Sequence, residues 1–418
     1  MNMKRISIVL LAILVLTCLF VACKKEPEPV HEHGFDAGIE TVHPSETQDG
    51  LIVYTCTTCG YKKEEVLPAG HDFDEKRQCR FCKGYKCGDD VVAVFDEETS
   101  TMTFKGKGLV YDFESNYNSN NEKNSRNLWG EDIHGKINNA VFEDGVVGTG
   151  EYILSYATNL TSVKFGKDVI EISPSSFYEC EKLSTVDFGS SKVKDIGNYA
   201  FSETNISSMN LPFSLETIGS GCFQESKLSG EVELPEGLKF MDRDVFYGTQ
   251  IKALSIPSTL SPNLASGSGS SCLGNVGTLE KFTVSEGNPY MKASDDGKAL
   301  VSIDGTTLIA VAAGAKDFAI PSGIEVVGLY SFRGWKGTSI VVPEGVTKIE
   351  DSAFRDCSCL ESVDLHSSLE SISGNAFEYC RNLKKITIHK PEGSLEGYET
   401  CWMKDPYDNM EIEIIWNK

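Results

Sequence analysis

The stretch LESVDLHSSLESISGNAFEYC, residues 360–380, decides the fold because its pattern recurs along the chain. It joins an apolar-polar-apolar triplet, Val363-Asp-Leu365, to an apolar residue and a phenylalanine five positions apart, Ile372 and Phe377. Such pairs are Ile172/Phe177, Ile196/Phe201, Ile218/Phe223, Met241/Phe246, Val327/Phe332, Ile349/Phe354 and Ile372/Phe377. A repeated unit of this kind predicts a solenoid, and a solenoid predicts function on a surface rather than in a pocket.

The triplets keep a period of 22 or 23 residues over most of the chain. Eight of the ten steps are 22 or 23 between their first apolar residues, Ala140, Val163, Val186, Met209, Val232, Leu254, Phe282, Phe318, Ile340, Val363 and Ile386. The alternation within each triplet is strand behaviour. A unit this short cannot bury its own apolar side, so we expect stacked units to share one core. Each strand then lies beside its equivalent in a parallel ladder.

The repeat resembles the bacterial surface-antigen type of leucine-rich repeat, often called BspA-like. The family repeat reads approximately Leu-x-x-Ile-x-Ile-Pro-x-x-Val-x-x-Ile-x-x-x-Ala-Phe-x-x-Cys, and residues 360–380 follow it closely. Its proline after the strand is present as Pro212, Pro235, Pro257, Pro321 and Pro343. The resemblance covers residues 136–418 and implies a β-rich α/β repeat solenoid. That solenoid is a right-handed stack with a parallel strand ladder.

Cysteines recur three residues after the phenylalanine of a repeat. They are Cys180, Cys357 and Cys380, while Ser226 and Thr249 fill the same position in other repeats. A small, weakly polar side chain suits a tight buried slot, and a thiol packs like a small hydrophobe. We interpret these cysteines as buried free thiols. A disulfide between Cys357 and Cys380 on neighbouring rungs is the alternative.

Two longer steps interrupt the period. The 28-residue step contains Ser266-Gly-Ser-Gly-Ser-Ser271, which predicts a flexible solvated loop. The 36-residue step contains an insertion at residues 286–316, where two apolar runs flank Asp304-Gly305, a hairpin signal. The insertion resembles the hairpin that the family inserts between repeats. We expect it either to project and take part in binding or to be a tolerated decoration.

The N-terminus predicts export and lipid anchoring. Residues 1–22 read as a signal peptide, with a basic start and an apolar run too short for an ordinary membrane span. Phe20-Val21-Ala22-Cys23 resembles a bacterial lipoprotein cleavage box, which makes Cys23 the lipidated residue and residues 23–30 a tether. An uncleaved membrane anchor is the alternative. The formal net charge of −22 argues against nucleic-acid binding through phosphate contacts.

Residues 31–88 concentrate cysteine and histidine. The two Cys-x-x-Cys motifs supply Cys56, Cys59, Cys79 and Cys82, whose spacing predicts a closed structural zinc site without a catalytic position. The segment also resembles a small ribbon module of bacterial surface proteins, and that resemblance implies His33 and His71 as alternative ligands beside the first motif. Disulfides are the competing interpretation, because an exported chain meets oxidising conditions.

Residues 89–135 connect this module to the repeats. Their strand-turn-strand pattern, followed by a polar loop, resembles the hairpin that precedes the repeats in the surface family. We expect the hairpin to cap the open N-terminal edge of the solenoid.

The outward residues of the strands are the candidate binding surface. They are mixed and polar, with an acidic bias in the first half, and comprise Lys164, Asp187, Asn210, Glu233, Ser255, Thr283, Ala319, Val341, Asp364 and Thr387. His366 and His389 occupy the same repeat position 23 residues apart, beside Asp364. They are interpreted as solvent-exposed turn residues, and a surface metal site or a pH-sensitive site is the alternative.

These observations predict a binding protein rather than an enzyme. No nucleophile with a partner base and no glycine-rich phosphate loop stands out in the sequence. The resemblance implies adhesion or recognition of a host component, with an extracellular protein or glycan as partner. A structural envelope protein that contacts other bacterial surface proteins is the alternative. We expect the chain in the bacterial cell envelope, lipid-anchored and at the cell surface.

Overall fold

The structure, a computed structural model, describes residues 34–42, 50–67, 78–79, 83–113, 128–262, 276–398 and 412–417. The chain divides into two compact units, Met1–Gly70 and His71–Lys418. Several predicted features lie outside the described residues. They are the signal peptide, Cys23 and the tether, His33, His71, Cys82 and the glycine-serine loop at 266–271.

The first unit contains a small antiparallel sheet. Its strands are β1 (Ile39–Val42), β2 (Gly50–Thr55) and β3 (Lys62–Leu67), in that spatial order. Asp36 Oδ1 accepts hydrogen bonds from the backbone N–H groups of Gly38 (3.0 Å) and Thr55 (2.9 Å). This carboxylate therefore fixes the chain entering β1 against the end of β2.

The regular secondary structure of the second unit is mostly strand. Its helical residues, in the part that the structure describes, are 128–129 and the short helix α1 (Glu131–His134). In chain order the strands are β4 (Tyr85–Lys86), β5 (Gly88–Asp96), β6 (Thr101–Val110), β7 (Asn139–Phe142), β8 (Val146–Gly148), β9 (Ser162–Phe165), β10 (Glu171–Ile172), β11 (Thr185–Asp187), β12 (Asp195–Ile196), β13 (Thr217–Ile218), β14 (Ser229–Glu233), β15 (Phe240–Met241), β16 (Gln250–Ile256), β17 (Lys281–Val284), β18 (Met291–Ala293), β19 (Ala299–Ser302), β20 (Thr307–Val311), β21 (Val326–Val327), β22 (Ser339–Val342), β23 (Lys348–Ile349), β24 (Ser362–Leu365), β25 (Ser371–Ile372), β26 (Lys385–Ile388) and β27 (Glu413–Trp416).

One strand, β6, begins the solenoid. It pairs antiparallel with β5 and parallel with two later strands, β7 along its first half and β8 along its second. Gly106 lies between these halves with φ of 119°, and a Cβ there would lie 1.9 Å from the carbonyl oxygen of Asp90. Only glycine fits this bend, which lets a single strand change partners. The prediction of an N-terminal capping hairpin is confirmed.

The triplets form what we call the front ladder, a set of parallel strands on one side of the solenoid. Its pairings are β7-β9-β11, then β14-β16-β17, then β22-β24-β26-β27. The predicted parallel arrangement is confirmed, but the prediction that every triplet forms a strand is wrong at two triplets. Residues 209–211 form no strand, and serine and asparagine, which strands disfavour, surround Met209. Residues 318–320 form none because the insertion takes the place of the preceding rung.

A second parallel ladder, the return ladder, contains the apolar residue of each Ile-xxxx-Phe pair. Its strands are two or three residues long in most rungs, in the orders β8-β10-β12-β13-β15 and β20-β21-β23-β25. Ile172, Ile218 and Ile349 are fully buried in it. Each of these limbs is therefore a short strand followed by the turn that carries the phenylalanine.

The phenylalanines of the pairs stack on one another behind the return ladder. Neighbouring ring centres lie 4.5–5.8 Å apart with interplanar angles of 20° or less, in the series Phe177, Phe201, Phe223, Phe246 and the series Phe332, Phe354, Phe377. Each turn that carries a phenylalanine contains two residues of positive φ, four positions apart. In one repeat these are Ser352 (52°) and Asp356 (61°). A non-glycine residue is less stable at positive φ than at negative φ. Burial of the phenylalanine ring offsets this conformational cost.

The cysteines of this turn are buried and donate hydrogen bonds from sulfur. The Sγ atoms of Cys357 and Cys380 lie 3.0 Å from the carbonyl oxygens of Phe332 and Phe354, one repeat earlier. Cys180 makes the equivalent bond to Leu154 at 3.1 Å. The free-thiol interpretation is confirmed for Cys357 and Cys380, because both are thiols in the structure.

Strands β19 and β20 of the inserted segment are buried between two hydrophobic cores. Strands β18, β19 and β20 pair antiparallel, and alternate side chains point to opposite sides. Leu300 and Ile309 pack into the core of the earlier repeats, while Val301 and Val311 pack into the core of the later ones. The expectation that the hairpin projects or merely decorates is wrong, because its side chains fill the junction between two stacks.

Candidate functional site

We call the ten predicted outward residues the front column, and eight of them lie on strands of the front ladder. Register pairs Lys164 with Asp187 and Glu233 with Ser255, and pairs Asp364 with both Val341 and Thr387. Every predicted member is exposed or half-exposed, including Asn210 and Ala319, which lie off the strands. The structure thus presents these side chains to solvent at successive rungs, which is what a recognition surface requires.

Charges also pair between successive rungs. Glu216 lies between Lys194 (2.9 Å) and Lys239 (2.6 Å), one from each neighbouring repeat. Hydrogen bonds from Lys239 and Lys194 lower the pKa of Glu216 to about 2. Equivalent pairs join Lys252 to Glu280, 28 residues apart, and Lys384 to Glu361, 23 residues apart. These pairs are exposed, so they bias the register while contributing little stability.

A cleft opens on the turn side where the stacked phenylalanines are interrupted. We call it the junction cleft; its volume is about 630 Å³, and the residues used below are Glu225, Asp244, Tyr247, Arg333, Lys336, Asp356 and Tyr379. It lies between the turns before the insertion and the turns after it. The sequence analysis did not predict this cleft. The 28- and 36-residue steps do mark its place, because such long steps separate the turns of consecutive repeats.

Arg333 ties the two sides of the junction cleft together. Its Nη1 lies 2.8 Å from Asp244 Oδ1, 89 residues away in sequence, and its Nε lies 3.4 Å from Asp356 Oδ2. The arginine side chain is only 16% exposed, so this network is better shielded than the other ion pairs. On the same side, the guanidinium of Arg355 lies over the ring of Tyr379 at 5.0 Å.

The two predicted histidines lie side by side at the C-terminal end of the front column. Their ring centres are 5.1 Å apart, and His389 Nε2 lies 2.7 Å from Asp364 Oδ1. Glu344 Oε1 lies 3.8 Å from His366 Nδ1. One donor atom each from Asp364, His366 and His389 falls within 4.8 Å of the other two, so a single cation could contact all three.

The two Cys-x-x-Cys motifs start turns of the same form. At the first, the N–H of Cys56 bonds to the carbonyl of Tyr61 (2.7 Å) and the N–H of Gly60 bonds back to Cys56 (2.9 Å). At the second, Cys79 bonds to Gly84 (2.8 Å) and Lys83 bonds back to Cys79 (2.9 Å).

The residue four positions after the first cysteine has positive φ in both turns, Gly60 at 73° and Lys83 at 58°. Cys56 and Cys79 are buried and Cys59 is exposed. The two motifs therefore share the same backbone conformation around their first cysteine.

The described part of the chain contains no helix with the length and apolar character of a membrane span.

Comparison with known proteins agrees with this architecture. A sequence profile described as "BspA type Leucine rich repeat region" matches six copies at residues 148–287 and 312–399, a little over half of the chain. A leucine-rich repeat protein from Eubacterium ventriosum has 22% identity and a TM-score of 0.53, with 72% of this chain and 71% of that chain covered. The pneumococcal vaccine antigen PcpA has 21% identity and a TM-score of 0.49, with 74% and 82% covered. A search of curated proteins finds no match.

Proposed function

The chain belongs to the BspA-type leucine-rich repeat family, and from this premise we propose that it is a bacterial surface protein that binds an extracellular protein or glycan. The observation that carries the proposal is the front column, whose exposed side chains are aligned by strand register over a buried scaffold. Repeat proteins use such extended faces for binding. Adhesion or recognition of a host component is the role that this surface suits.

A binding screen of the full chain against extracellular-matrix proteins, epithelial surfaces and glycans tests the proposal. The charge reversals Lys164→Glu and Glu233→Lys should weaken binding at least tenfold, because both residues lie in the front column. Glu203→Lys, an exposed change in a turn outside the column, is the matched control. If the folded protein binds none of these ligands, the adhesion proposal is wrong. Crosslinking to envelope proteins would then favour the structural alternative.

The junction cleft is a second candidate recognition surface. Tyrosine and arginine are enriched at binding interfaces, and a volume of about 630 Å³ lies in the range of ligand sites. Tyr247 is 41% exposed there, so its ring is available for stacking on a sugar or an aromatic side chain. If the charge reversals of the front column leave binding intact and Tyr247→Ala abolishes it, the cleft rather than the column is the site.

We also propose that Cys23 is lipidated and holds the protein at the cell surface. The sequence around Cys23 supports this, because it follows a short apolar run and a small residue. Cells fed a labelled fatty acid should label the wild-type chain and not Cys23→Ser, which should be released into the medium. Protease added to intact cells should remove the repeats. Complete protection of the repeats would contradict surface exposure.

A structural zinc in the N-terminal segment is part of the same proposal. The spacing of the two Cys-x-x-Cys motifs supports this, with Cys56, Cys59, Cys79 and Cys82 as the ligands. Elemental analysis of the full chain should find a zinc equivalent that is lost in Cys56→Ser. A zinc-free protein with oxidised cysteines would establish disulfides instead.

A further inference from the structure

The cluster of two histidines and an aspartate on the front ladder has the composition of a metal site. Imidazole nitrogen with carboxylate oxygen is a ligand set that suits zinc and neighbouring divalent transition metals. The donor atoms lie within 4.8 Å of one another, and the ligands of a tetrahedral zinc lie roughly 3–3.5 Å apart when each is about 2 Å from the ion. Small side-chain rotations of Asp364, His366 and His389 would therefore bring the three donor atoms to the spacing of metal ligands.

We propose that Asp364, His366 and His389 bind a divalent transition-metal ion, with Zn²⁺ as the representative. Three protein ligands leave at least one coordination position open to water. The side chains of His366, His389 and Asp364 are 36%, 38% and 40% exposed, so an ion can reach them from solvent. The site is separate from the cysteine motifs and uses no thiolate.

The backbone positions both imidazoles before any ion arrives. His366 and His389 follow neighbouring strands, and their N–H groups bond to the carbonyls of Val342 (3.1 Å) and Leu365 (2.9 Å) at equivalent points of the ladder. The hydrogen bond between His389 Nε2 and Asp364 Oδ1 holds two donors in contact. A metal ion would replace the proton shared in that bond, so little rearrangement is needed.

Glu344 supplies an outer contact of the kind that metal sites use. Its Oε1 accepts hydrogen bonds from the N–H (3.2 Å) and hydroxyl (2.6 Å) of Ser367, while Oε2 accepts one from the N–H of Ser368 (3.1 Å). The anchored carboxylate faces Nδ1 of His366 at 3.8 Å. At 3.8 Å the two atoms are beyond hydrogen-bonding distance, and a small rotation of the imidazole would bring them into contact. A carboxylate bonded to one imidazole nitrogen orients the other nitrogen toward a metal, so Glu344 would then act as a positioning residue.

Titration of the full chain with ZnCl₂ tests the proposal. The protein is first saturated with zinc and desalted, so that tight thiolate sites are filled, and calorimetry then counts the remaining sites. Wild-type protein should bind one further equivalent, which the His366→Ala/His389→Ala double variant should lose. Glu344→Gln should weaken that equivalent about tenfold. Lys385→Ala, an exposed change on the same strand outside the cluster and the front column, should leave it unchanged.

Cobalt spectra separate this site from the cysteines. The Co²⁺ difference spectrum between wild type and the double variant should show bands of nitrogen and oxygen ligation without a sulfur charge-transfer band. Asp364→Asn, which keeps the shape of the side chain, should also weaken the equivalent if a substitution of both histidines disturbs folding. An equal number of zinc equivalents in wild type and the folded variants would overturn the proposal, as would a sulfur band in the difference spectrum.

Discussion

At the scale of the residue, the turns of this solenoid depend on side chains held at positive φ. Serine, tyrosine, glutamate, aspartate and asparagine occupy such positions, as at Ser175, Tyr199, Glu225 and Asn375. A non-glycine residue with positive φ is uncommon and costs about 1–2 kcal/mol. The sequence pattern gave no sign of this conformation, because glycine, the residue that signals it, holds only some of the equivalent positions, such as Gly248 and Gly334.

Glu203, at φ of 57°, offers a direct test of that strain. Glu203→Gly should be more stable than Glu203→Val by at least 1 kcal/mol, because valine adopts this conformation poorly while glycine adopts it freely. Both variants lose the same hydrogen bond from the Tyr178 hydroxyl (3.2 Å), so the comparison isolates the backbone. Urea denaturation of the full chain measures the difference. Equal midpoints would show that the turn relaxes when the residue changes.

The stacked phenylalanines give a second test at this scale. Phe354 is fully buried between Phe332 and Phe377, so Phe354→Ala should cost about 3–5 kcal/mol of unfolding free energy. Phe213 is 81% exposed, and Phe213→Ala should change stability by less than about 0.5 kcal/mol. Thermal unfolding of the two variants makes the comparison. A similar small effect at both positions would contradict a continuous packed stack.

At the scale of the element, the ladders explain which parts of the fold were predictable. The triplets predicted the front ladder. Their apolar-polar-apolar alternation, repeated every 22 or 23 residues, is typical of strands and not of helices. The return ladder was missed, since a two-residue strand such as β12 or β23 is too short to show alternation. The inserted hairpin was found from Asp304-Gly305. The burial of the hairpin was not predicted. Both of its faces are apolar, and which cores they pack against is known only once the neighbouring repeats are placed.

The candidate site divided in the same way. The front column followed from strand alternation alone, so its members could be named from the sequence. The junction cleft could not be, because Arg333 and Asp244 are brought together by an interruption of the stack rather than by a motif. His366 and His389 were aligned by the period, but the contact between His389 and Asp364 needed coordinates.

The ion pairs between rungs predict a pH dependence. The two lysines lower the pKa of Glu216 from 4.5 to about 2, so the folded state binds the proton less well than the unfolded state. The contribution of Glu216 is therefore fully present above pH 4.5 and is lost as the pH falls toward about 2. Glu216→Gln should be less stable than wild type near neutral pH, and the difference should vanish in strong acid. Denaturation at several pH values, in low salt to limit screening, measures this. A difference that is constant with pH would exclude the ion pairs as its cause.

At the scale of the whole molecule, the second unit consists of two repeat stacks with a shared hairpin. The hairpin contributes apolar side chains to both cores, and Arg333 adds a polar connection across the junction cleft. Repeat arrays unfold locally unless their interfaces couple them. The hairpin and Arg333 are therefore the features that make the two stacks behave as one body.

Arg333→Ala tests that coupling. The change removes one partner each from Asp244 and Asp356 in a shielded network and should cost about 1–3 kcal/mol. Lys252→Ala breaks an exposed pair with Glu280 and should cost under about 1 kcal/mol. Hydrogen exchange in the return strands on both sides should accelerate in Arg333→Ala. Acceleration on one side alone would show that the hairpin couples the stacks without the arginine.

The strand β6 has a consequence for biosynthesis. It starts both ladders, and all its residues precede the repeats, so the ribosome delivers the complete template before the first rung. Along the return ladder, each strand from β8 to β15 then meets an edge that is already formed, so this part of the array can assemble in the order of translation. A ribosome-bound chain that ends after one of these rungs would expose its last return strand as an unpaired edge, where a misplaced strand could attach.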